Sequence, residues 1–86
     1  MASIVIYTTQ YCPYCRGAKS LLNAKGVEFE EIDVTTDPDG RAEMMKLSGR
    51  QTVPQIFVDG RPIGGFDDMR LLDSSGELDR ILAGKQ

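Results

Sequence analysis

The feature that most constrains the fold is the junction between a strand pattern and a helix pattern near the start of the chain. The β-branched and aromatic residues of Ser3–Tyr7 predict a buried strand. A polar connection, residues 8–11, leads to Cys12 and Cys15. The apolar residues that then recur at helical spacing are Cys15, Ala18, Leu21 and Leu22. A strand followed at once by a helix predicts a βα unit, with the cysteine pair at the turn between its two elements.

Two further elements are predicted between residues 27 and 48. A second strand falls within residues 27–34, and its apolar positions alternate imperfectly. Residues 37–40, Asp-Pro-Asp-Gly, have the composition of a turn. Residues 41–48 then predict a short helix, buried through Met44, Met45 or Leu47 and closed by a glycine.

A hairpin and two helices are predicted for the rest of the chain. Residues 55–58 read as a strand, and Asp59-Gly60 is a strong two-residue hairpin turn. The returning strand contains Pro62, which cannot donate a ladder hydrogen bond, so this strand should lie at a sheet edge. The final helices are expected to begin near Phe66 and Leu78.

The resulting order, β-α-β-α-β-β-α-α, predicts an α/β fold. Its first half is a parallel crossover and its second half is antiparallel, so we expect a four-stranded mixed sheet flanked by helices. A Cys-x-x-Cys pair between strand and helix in such a unit is the context of a thioredoxin-like redox site. The length of 86 residues fits one domain, residues 1–86.

The composition excludes several function classes. The net charge is −3, and no cluster of Lys and Arg is dense enough to indicate nucleic-acid binding. The longest apolar run is far too short to span a membrane. The N-terminus, MASIVIY, lacks the basic and long apolar segments of a secretion signal. We therefore expect a cytoplasmic protein without nucleic-acid or membrane partners, and a monomer by default.

Three non-redox interpretations of the cysteine pair are disfavoured. A closed zinc site needs about four N or S ligands, whereas the chain has two cysteines and no histidine. A metal or iron–sulfur cluster shared between two copies stays open. A structural disulfide stabilises mainly by closing a long loop, and the loop between Cys12 and Cys15 is minimal. Two ordinary buried cysteines would not explain the strand-to-helix context.

A redox interpretation accounts for the residues between the cysteines as well. If Cys12 is the N-cap, Pro13 occupies the first helical position, where its fixed φ suits the turn. The N–H groups of Tyr14 and Cys15 are then unpaired donors at the positive end of the helix dipole, and a Cys12 thiolate can accept them. Cys15 lies one turn on, more buried, and placed to attack a mixed disulfide on Cys12. Arg16 and Lys19 are interpreted as a solvated helix face.

With these residues placed, the sequence resembles the dithiol glutaredoxins over nearly its whole length. Three separated motifs carry the resemblance. They are Cys-Pro-Tyr-Cys at residues 12–15, Thr52-Val53-Pro54 before the third strand, and Ile63-Gly64-Gly65-Phe66-Asp67-Asp68. Each is modest alone, and their order and spacing make them specific. The resemblance implies a thioredoxin-like fold and a cis peptide bond before Pro54.

A glutathione site is also implied by this resemblance. The backbone of Val53 would pair with the cysteinyl unit as an added strand. The N–H groups of Phe66 and Asp67, which open a helix, would bind a carboxylate. Asp67 and Asp68 would receive the ammonium group, although plain helix capping explains Asp68 equally well. The full implied set is Pro13, Tyr14, Gln51, Thr52, Val53, Pro54, Gly65, Phe66, Asp67 and Asp68.

Three positions depart from the family pattern. Thr9 stands where relatives have a lysine before the first cysteine. Gln51, with Arg50 beside it, occupies a position that relatives use to bind the glycine carboxylate, and Gln51 carries no charge. Phe66 stands where relatives often have a small residue. These changes concern glutathione affinity more than activity.

The resulting hypothesis is a glutathione-dependent thiol–disulfide oxidoreductase, with Cys12 as nucleophile and Cys15 as resolving thiol. Glutathione is the reducing co-substrate, and no permanently bound cofactor or metal is expected. The substrates implied are glutathionylated or disulfide-containing proteins, with ribonucleotide reductase suggested by the family resemblance. One alternative is a redoxin reduced by thioredoxin reductase, which the lack of tryptophan disfavours. The other is a dimeric iron–sulfur cluster carrier, which Pro13 disfavours.

Overall fold

The computed structural model describes residues 2–84 and contains one four-stranded mixed sheet. The strands are β1 (Ile4–Thr8), β2 (Glu30–Asp33), β3 (Gln55–Val58) and β4 (Arg61–Gly64). Their order across the sheet is β2-β1-β3-β4, with β1 parallel to β2 and antiparallel to β3. The parallel crossover, the antiparallel second half and the edge position of Pro62 are therefore confirmed.

Four helices cover the two faces of this sheet. They are α1 (Pro13–Ala24), α2 (Pro38–Ser48), α3 (Phe66–Ser74) and α4 (Glu77–Leu82). Because side chains alternate along a strand, β1 contributes residues to two separate cores, one on each face of the sheet. The first core lies under α1, α3 and α4, and its buried residues are Ile4, Ile6, Ala18, Leu22, Ile56, Val58, Met69, Leu78 and Leu82. The second core lies under α2, and its buried residues are Tyr7, Val34, Met44 and Phe57.

Helix α2 begins earlier than the sequence indicated. The predicted turn at residues 37–40 is wrong in part, because Asp37 is an N-cap whose Oδ1 accepts the Gly40 N–H at 3.0 Å. Pro38 occupies the first helical position, where its missing N–H costs nothing. Of the three apolar candidates only Met44 is buried, whereas Met45 and Leu47 are exposed.

Strand β2 is shorter than predicted. Val27 and Phe29 pack against the first core from outside the strand, and Val34 packs in the second core just after it. The apolar residues of this segment therefore reflect packing of the flanking loops rather than a long strand. The hairpin turn is as expected, with positive φ at both Asp59 (53°) and Gly60 (82°).

Across residues 2–84, none of the helices has the length and apolar content that a bilayer crossing requires.

Candidate functional site

Cys12 is the N-cap of α1, as the position of Pro13 predicts. Its backbone is extended, with φ −104° and ψ 107°, and the Arg16 N–H donates to its carbonyl at 3.1 Å to open the helix. The Cys12 Sγ accepts the Cys15 backbone N–H at 3.3 Å. The same sulfur lies 4.0 Å from the carbonyl oxygen of Val53. Cys12 is partly exposed, so its sulfur has access to solvent, to the helix N-terminus and to the backbone of a neighbouring loop.

Cys15 lies on the inner side of α1 and is 1% exposed. Burial, followed by the hydrogen bond with the Cys12 side chain, raises the pKa of Cys15 to about 12. A backbone hydrogen bond from Thr9 and the charge of Lys19 act in the opposite direction and lower this pKa. The two thiols are therefore unequal: one is accessible at a helix N-terminus, and the other is buried and protonated.

A cavity of about 320 Å³ is lined by residues at the N-terminal ends of α1 and α3, and it lies beside Cys12 because Val53, 4.0 Å from the Cys12 sulfur, is part of its wall. Its lining residues are Tyr14, Arg50, Thr52, Val53, Pro54, Gly65, Phe66, Asp67 and Asp68. The Val53–Pro54 peptide bond is cis, as the resemblance implied. The three segments that contribute to the cavity are the helix after Cys12, the loop before β3 and the β4–α3 junction.

The loop before β3 is held by a buried amide. Gln55, 1% exposed, donates from Nε2 to the Thr52 carbonyl at 2.9 Å and to the Thr52 hydroxyl at 3.2 Å. Since Val53 follows directly, this pair of bonds fixes the position of its carbonyl relative to Cys12. The sequence predicts only that Gln55 lies in a strand. Its role in holding the loop at Thr52 is visible only in the folded chain.

The β4–α3 junction depends on two glycines and one carboxylate. Gly64 has φ 107°, a conformation that favours glycine, and a side chain there would collide with the Asp68 carboxylate. Asp68 Oδ2 accepts the Gly65 N–H at 2.9 Å and pairs with Arg50 Nη1 at 2.7 Å. The Gly65 N–H and then the Arg50 guanidinium lower the pKa of Asp68. Asp68 is thus a helix cap and a member of the cavity wall at the same time.

The ring of Phe66 forms one side of the cavity and fits against a residue without a side chain. A methyl group added at Gly17 would meet this ring at 2.7 Å. The rings of Phe66 and Tyr14 are 6.4 Å apart between centroids, and the Arg70 guanidinium lies 5.6 Å from the Phe66 centroid. The large residue at position 66 is therefore accommodated by the glycine at position 17.

Most of the predicted site residues are brought together, with three qualifications. Eight of the ten residues expected to contact glutathione line the cavity, as the lining set shows. Pro13 and Gln51 do not; the Gln51 carbonyl instead accepts the Arg41 guanidinium at 3.0 Å. Arg50, which was noted only as a neighbour of Gln51, supplies the cationic side chain of the cavity wall.

The chemistry that this arrangement allows follows from the two thiols and the open cavity. A thiolate is the attacking form in thiol–disulfide exchange, and backbone N–H groups at a helix N-terminus favour it. A second thiol one helical turn away can displace whatever the first has bound. Among residues 2–84, no group of three or more His, Cys, Asp or Glu side chains is arranged to hold a metal ion.

Comparison with known proteins gives consistent matches. The family model for glutaredoxins matches residues 4–63. Glutaredoxin 3 of Escherichia coli K12 is 52% identical over 82 residues, which is 95% of this chain and 99% of that protein. A glutaredoxin of Pseudomonas aeruginosa is 47% identical over 83 residues, 96% of this chain and 99% of that protein.

Solved structures give the same result in three dimensions. A buckwheat glutaredoxin–glutathione complex superposes with a TM-score of 0.88 at 29% identity, over 98% of this chain and 79% of that one. The solution structure of a glutaredoxin from Brucella melitensis superposes with a TM-score of 0.85 at 48% identity, over 100% of this chain and 95% of that one.

Proposed function

The chain belongs to the glutaredoxin family of thiol–disulfide oxidoreductases, and from this premise we propose that it reduces mixed disulfides with glutathione as its electron donor. In this proposal Cys12 is the nucleophile and Cys15 the resolving thiol, within one domain of 86 residues acting in the reducing cytoplasm. The observation that carries it is the contrast between the two sulfurs. Cys12 Sγ is accessible and accepts a backbone N–H at a helix N-terminus, whereas Cys15 is buried.

The cavity beside Cys12 supports glutathione as the co-substrate. An extended cysteinyl unit has a backbone partner at Val53, whose carbonyl lies 4.0 Å from the Cys12 sulfur. At the N-terminus of α3, the Phe66 and Asp67 N–H groups can bind the γ-glutamyl carboxylate, and Asp67 faces the same cavity as a partner for its ammonium group. Arg50 supplies a cation for the glycine carboxylate. The buckwheat relative was solved as a complex with glutathione.

On a glutathionylated protein the reaction needs one thiol. The Cys12 thiolate attacks the glutathione sulfur, forms a Cys12–glutathione disulfide and releases the protein thiolate, which takes a proton from solvent. A second glutathione thiolate then attacks the glutathione sulfur of this intermediate. Glutathione disulfide leaves, and Cys12 returns to its thiolate form. In net terms one free glutathione is consumed: it leaves as glutathione disulfide with the glutathionyl group taken from the substrate, and the protein thiol is regenerated.

On a protein disulfide the reaction needs both thiols. Cys12 attacks one sulfur of the substrate and releases the other as a thiolate. Cys15 loses its proton and attacks the Cys12 sulfur, which forms the Cys12–Cys15 disulfide and frees the second substrate thiol. Two glutathione molecules then reduce this internal disulfide. Because Cys15 is buried, only a group already bonded to Cys12 is within its reach.

The experiment that tests this proposal uses two serine substitutions on two substrates. With a glutathionylated peptide, glutathione and glutathione reductase, Cys12→Ser should lose at least 100-fold in rate, roughly the loss expected when a nucleophile is removed. Cys15→Ser should keep the deglutathionylation rate within about threefold, since Cys15 takes no part in that route. With a protein disulfide as substrate, both variants should be inactive.

The converse result, an active Cys12→Ser and an inactive Cys15→Ser on the glutathionylated peptide, would reverse the two roles. Replacing glutathione and its reductase with thioredoxin reductase should give no turnover of the wild-type chain. Turnover with that reductase at a comparable rate would contradict glutathione as the electron donor.

A further inference from the structure

Three side chains from separate elements meet at β2, the edge strand that pairs with β1. Glu31, on β2, accepts two hydrogen bonds at the same oxygen, Oε2. One comes from the Thr8 hydroxyl at 2.7 Å and the other from Lys19 Nζ at 2.9 Å. Thr8 is the last residue of β1 and is 1% exposed, whereas the Lys19 and Glu31 side chains are about one-third exposed. A buried hydroxyl is thus linked through one carboxylate to a cation at the surface.

This cluster is linked to Cys15 in two ways, through the chain from Thr8 to Thr9 and through the position of Lys19 on α1. The Thr8 carbonyl accepts the Val34 N–H at 2.8 Å, so the carbonyl and the hydroxyl of Thr8 are both held, and the peptide that leads to Thr9 is fixed. The backbone of Thr9 in turn hydrogen-bonds to the Cys15 thiol. Lys19 lies four residues after Cys15 in α1, which places both on the same face of the helix. The Thr9 backbone and the Lys19 charge both lower the pKa of Cys15, against the larger opposing effects of burial and Cys12.

In the proposed reaction Cys15 has to ionise, and its burial disfavours the thiolate. It must stay protonated at rest and become a thiolate when Cys12 carries a mixed disulfide. We propose that Lys19, Glu31 and Thr8 form a positioning network for Cys15, which holds a backbone N–H and an ammonium group toward the thiolate as it forms. The network does not touch the substrate, and it acts through Cys15. This inference rests on the proposed role of Cys15 as the second thiol.

The step that this network would assist is the attack of Cys15 on the mixed disulfide at Cys12, and it needs no other oxidant or reductant. Cys15 gives its proton to solvent, and its sulfur attacks Cys12 Sγ in a Cys12–S–S–R mixed disulfide. The Cys12–Cys15 bond forms, the S–R bond breaks, and R–S⁻ leaves with the electron pair. Groups that stabilise the Cys15 thiolate speed this step, whereas the earlier attack by Cys12 does not involve them.

The two steps can be separated with 5,5′-dithiobis(2-nitrobenzoate) and the reduced, full-length chain. The first coloured thiolate is released when Cys12 attacks the reagent, in a phase whose rate depends on reagent concentration. The second is released when Cys15 attacks Cys12, in a phase whose rate does not. For Lys19→Met we expect the second rate constant to fall by roughly three- to tenfold and the first to stay within about 1.5-fold, since a partly exposed charge shifts a thiol titration only modestly.

Conservative and control variants distinguish positioning from general damage. Lys19→Arg keeps the charge and the carboxylate pair, and should restore the second phase to within about twofold of wild type. Thr8→Val keeps the side-chain shape but removes the hydroxyl, and should slow the second phase alone. Lys25→Met is the matched control, because Lys25 is the C-cap residue of α1, at the opposite end of the helix from Cys15. It is also ion-paired, to Asp73 and Asp79 at 2.6 and 2.8 Å. This variant should leave both phases unchanged.

Three results would overturn the inference: an unchanged second phase in Lys19→Met, an equal fall of both phases in that variant, or a Lys19→Arg variant as slow as Lys19→Met. Failure of the proposed function has a different signature. In that case Cys15→Ser would still release two thiolates, or Cys12→Ser would still show the fast first phase.

Discussion

Among single residues, we expect Arg50 to have the largest effect on how well the cavity beside Cys12 holds a carboxylate. It is the one Lys or Arg side chain among the described residues that line the cavity, and its guanidinium is paired with Asp68 at 2.7 Å. For Arg50→Gln we expect the KM for glutathione to rise by roughly three- to tenfold with kcat nearly unchanged. The reason is that a lost contact to a non-reacting carboxylate removes binding energy shared by ground and transition states.

The same charge change away from the cavity provides the control for this prediction. Arg80→Gln removes a guanidinium from the last turn of α4 and should leave the KM for glutathione within error of wild type. Steady-state kinetics at several glutathione concentrations measures both variants. A normal KM in Arg50→Gln, or an equal rise in both variants, would show that Arg50 does not bind the co-substrate.

Single residues were predictable where their neighbours in sequence determine their role. Cys12, Pro13 and Cys15 follow from helix-capping rules within four positions of the chain. Arg50 and Gln55 could not be assigned, because their partners, Asp68 and Thr52, are set by how loops meet in the folded chain. The fit of Phe66 against Gly17 joins two helices, and no local pattern encodes it.

At the scale of elements, α2 offers a direct test of where a helix begins. Its cap is Asp37, whose Oδ1 accepts the Gly40 N–H at 3.0 Å. Asp37→Ala should lower the free energy of unfolding by about 1 kcal/mol, the usual cost of losing an N-cap. For a chain of this length that corresponds to a fall in Tm of about 4–8 °C. Asp39→Ala, in the first turn of the same helix, should cost clearly less because Asp39 is not the cap residue.

Urea unfolding of the two variants side by side measures this difference. Equal losses for Asp37→Ala and Asp39→Ala would mean that only charge near the helix start matters, and not the cap. The underlying ambiguity is physical: Asp-Pro is favoured both at a turn and at a helix start, since proline fixes φ near the value that both need. The sequence alone therefore predicted the helix but not its first turn.

For the whole molecule, element order and hairpin chemistry were enough to predict the mixed sheet. Parallel strands need a crossover, which α1 supplies between β1 and β2, and the Asp59-Gly60 turn forces β3 and β4 to be antiparallel neighbours. The division of the helices between the faces, with α2 alone on one side, is a property of the assembled fold. This division depends on which face of the sheet each apolar side chain of β1 and β3 points to, and on which helix covers that face.

The whole molecule also carries a pH dependence that originates at Cys15. Burial raises the pKa of Cys15 to about 12, above the value of about 8.5 expected for an unfolded thiol. The folded state therefore binds this proton more tightly than the unfolded state does. The resulting contribution to the free energy of unfolding is complete below about pH 8.5 and is lost as the pH rises toward 12. Between pH 7 and 9.5 the reduced protein should lose about 1.4 kcal/mol of unfolding free energy from this one group.

Anaerobic urea titrations of the reduced wild type and of Cys15→Ala across this pH range measure the effect. Cys15→Ala starts from a lower stability, because it leaves a cavity next to Ala18 and Leu22 in the same helix. Its profile should nevertheless be flatter than that of wild type by about 1.4 kcal/mol, since the titrating thiol is gone. Tyr7 and Lys25 also have raised pKa values in the folded chain, but their losses begin only near their unfolded pKa values of about 10 and 10.4, so a scan that stops at pH 9.5 largely avoids them. Parallel profiles would contradict the protonated, buried Cys15 on which the proposed resolving step depends.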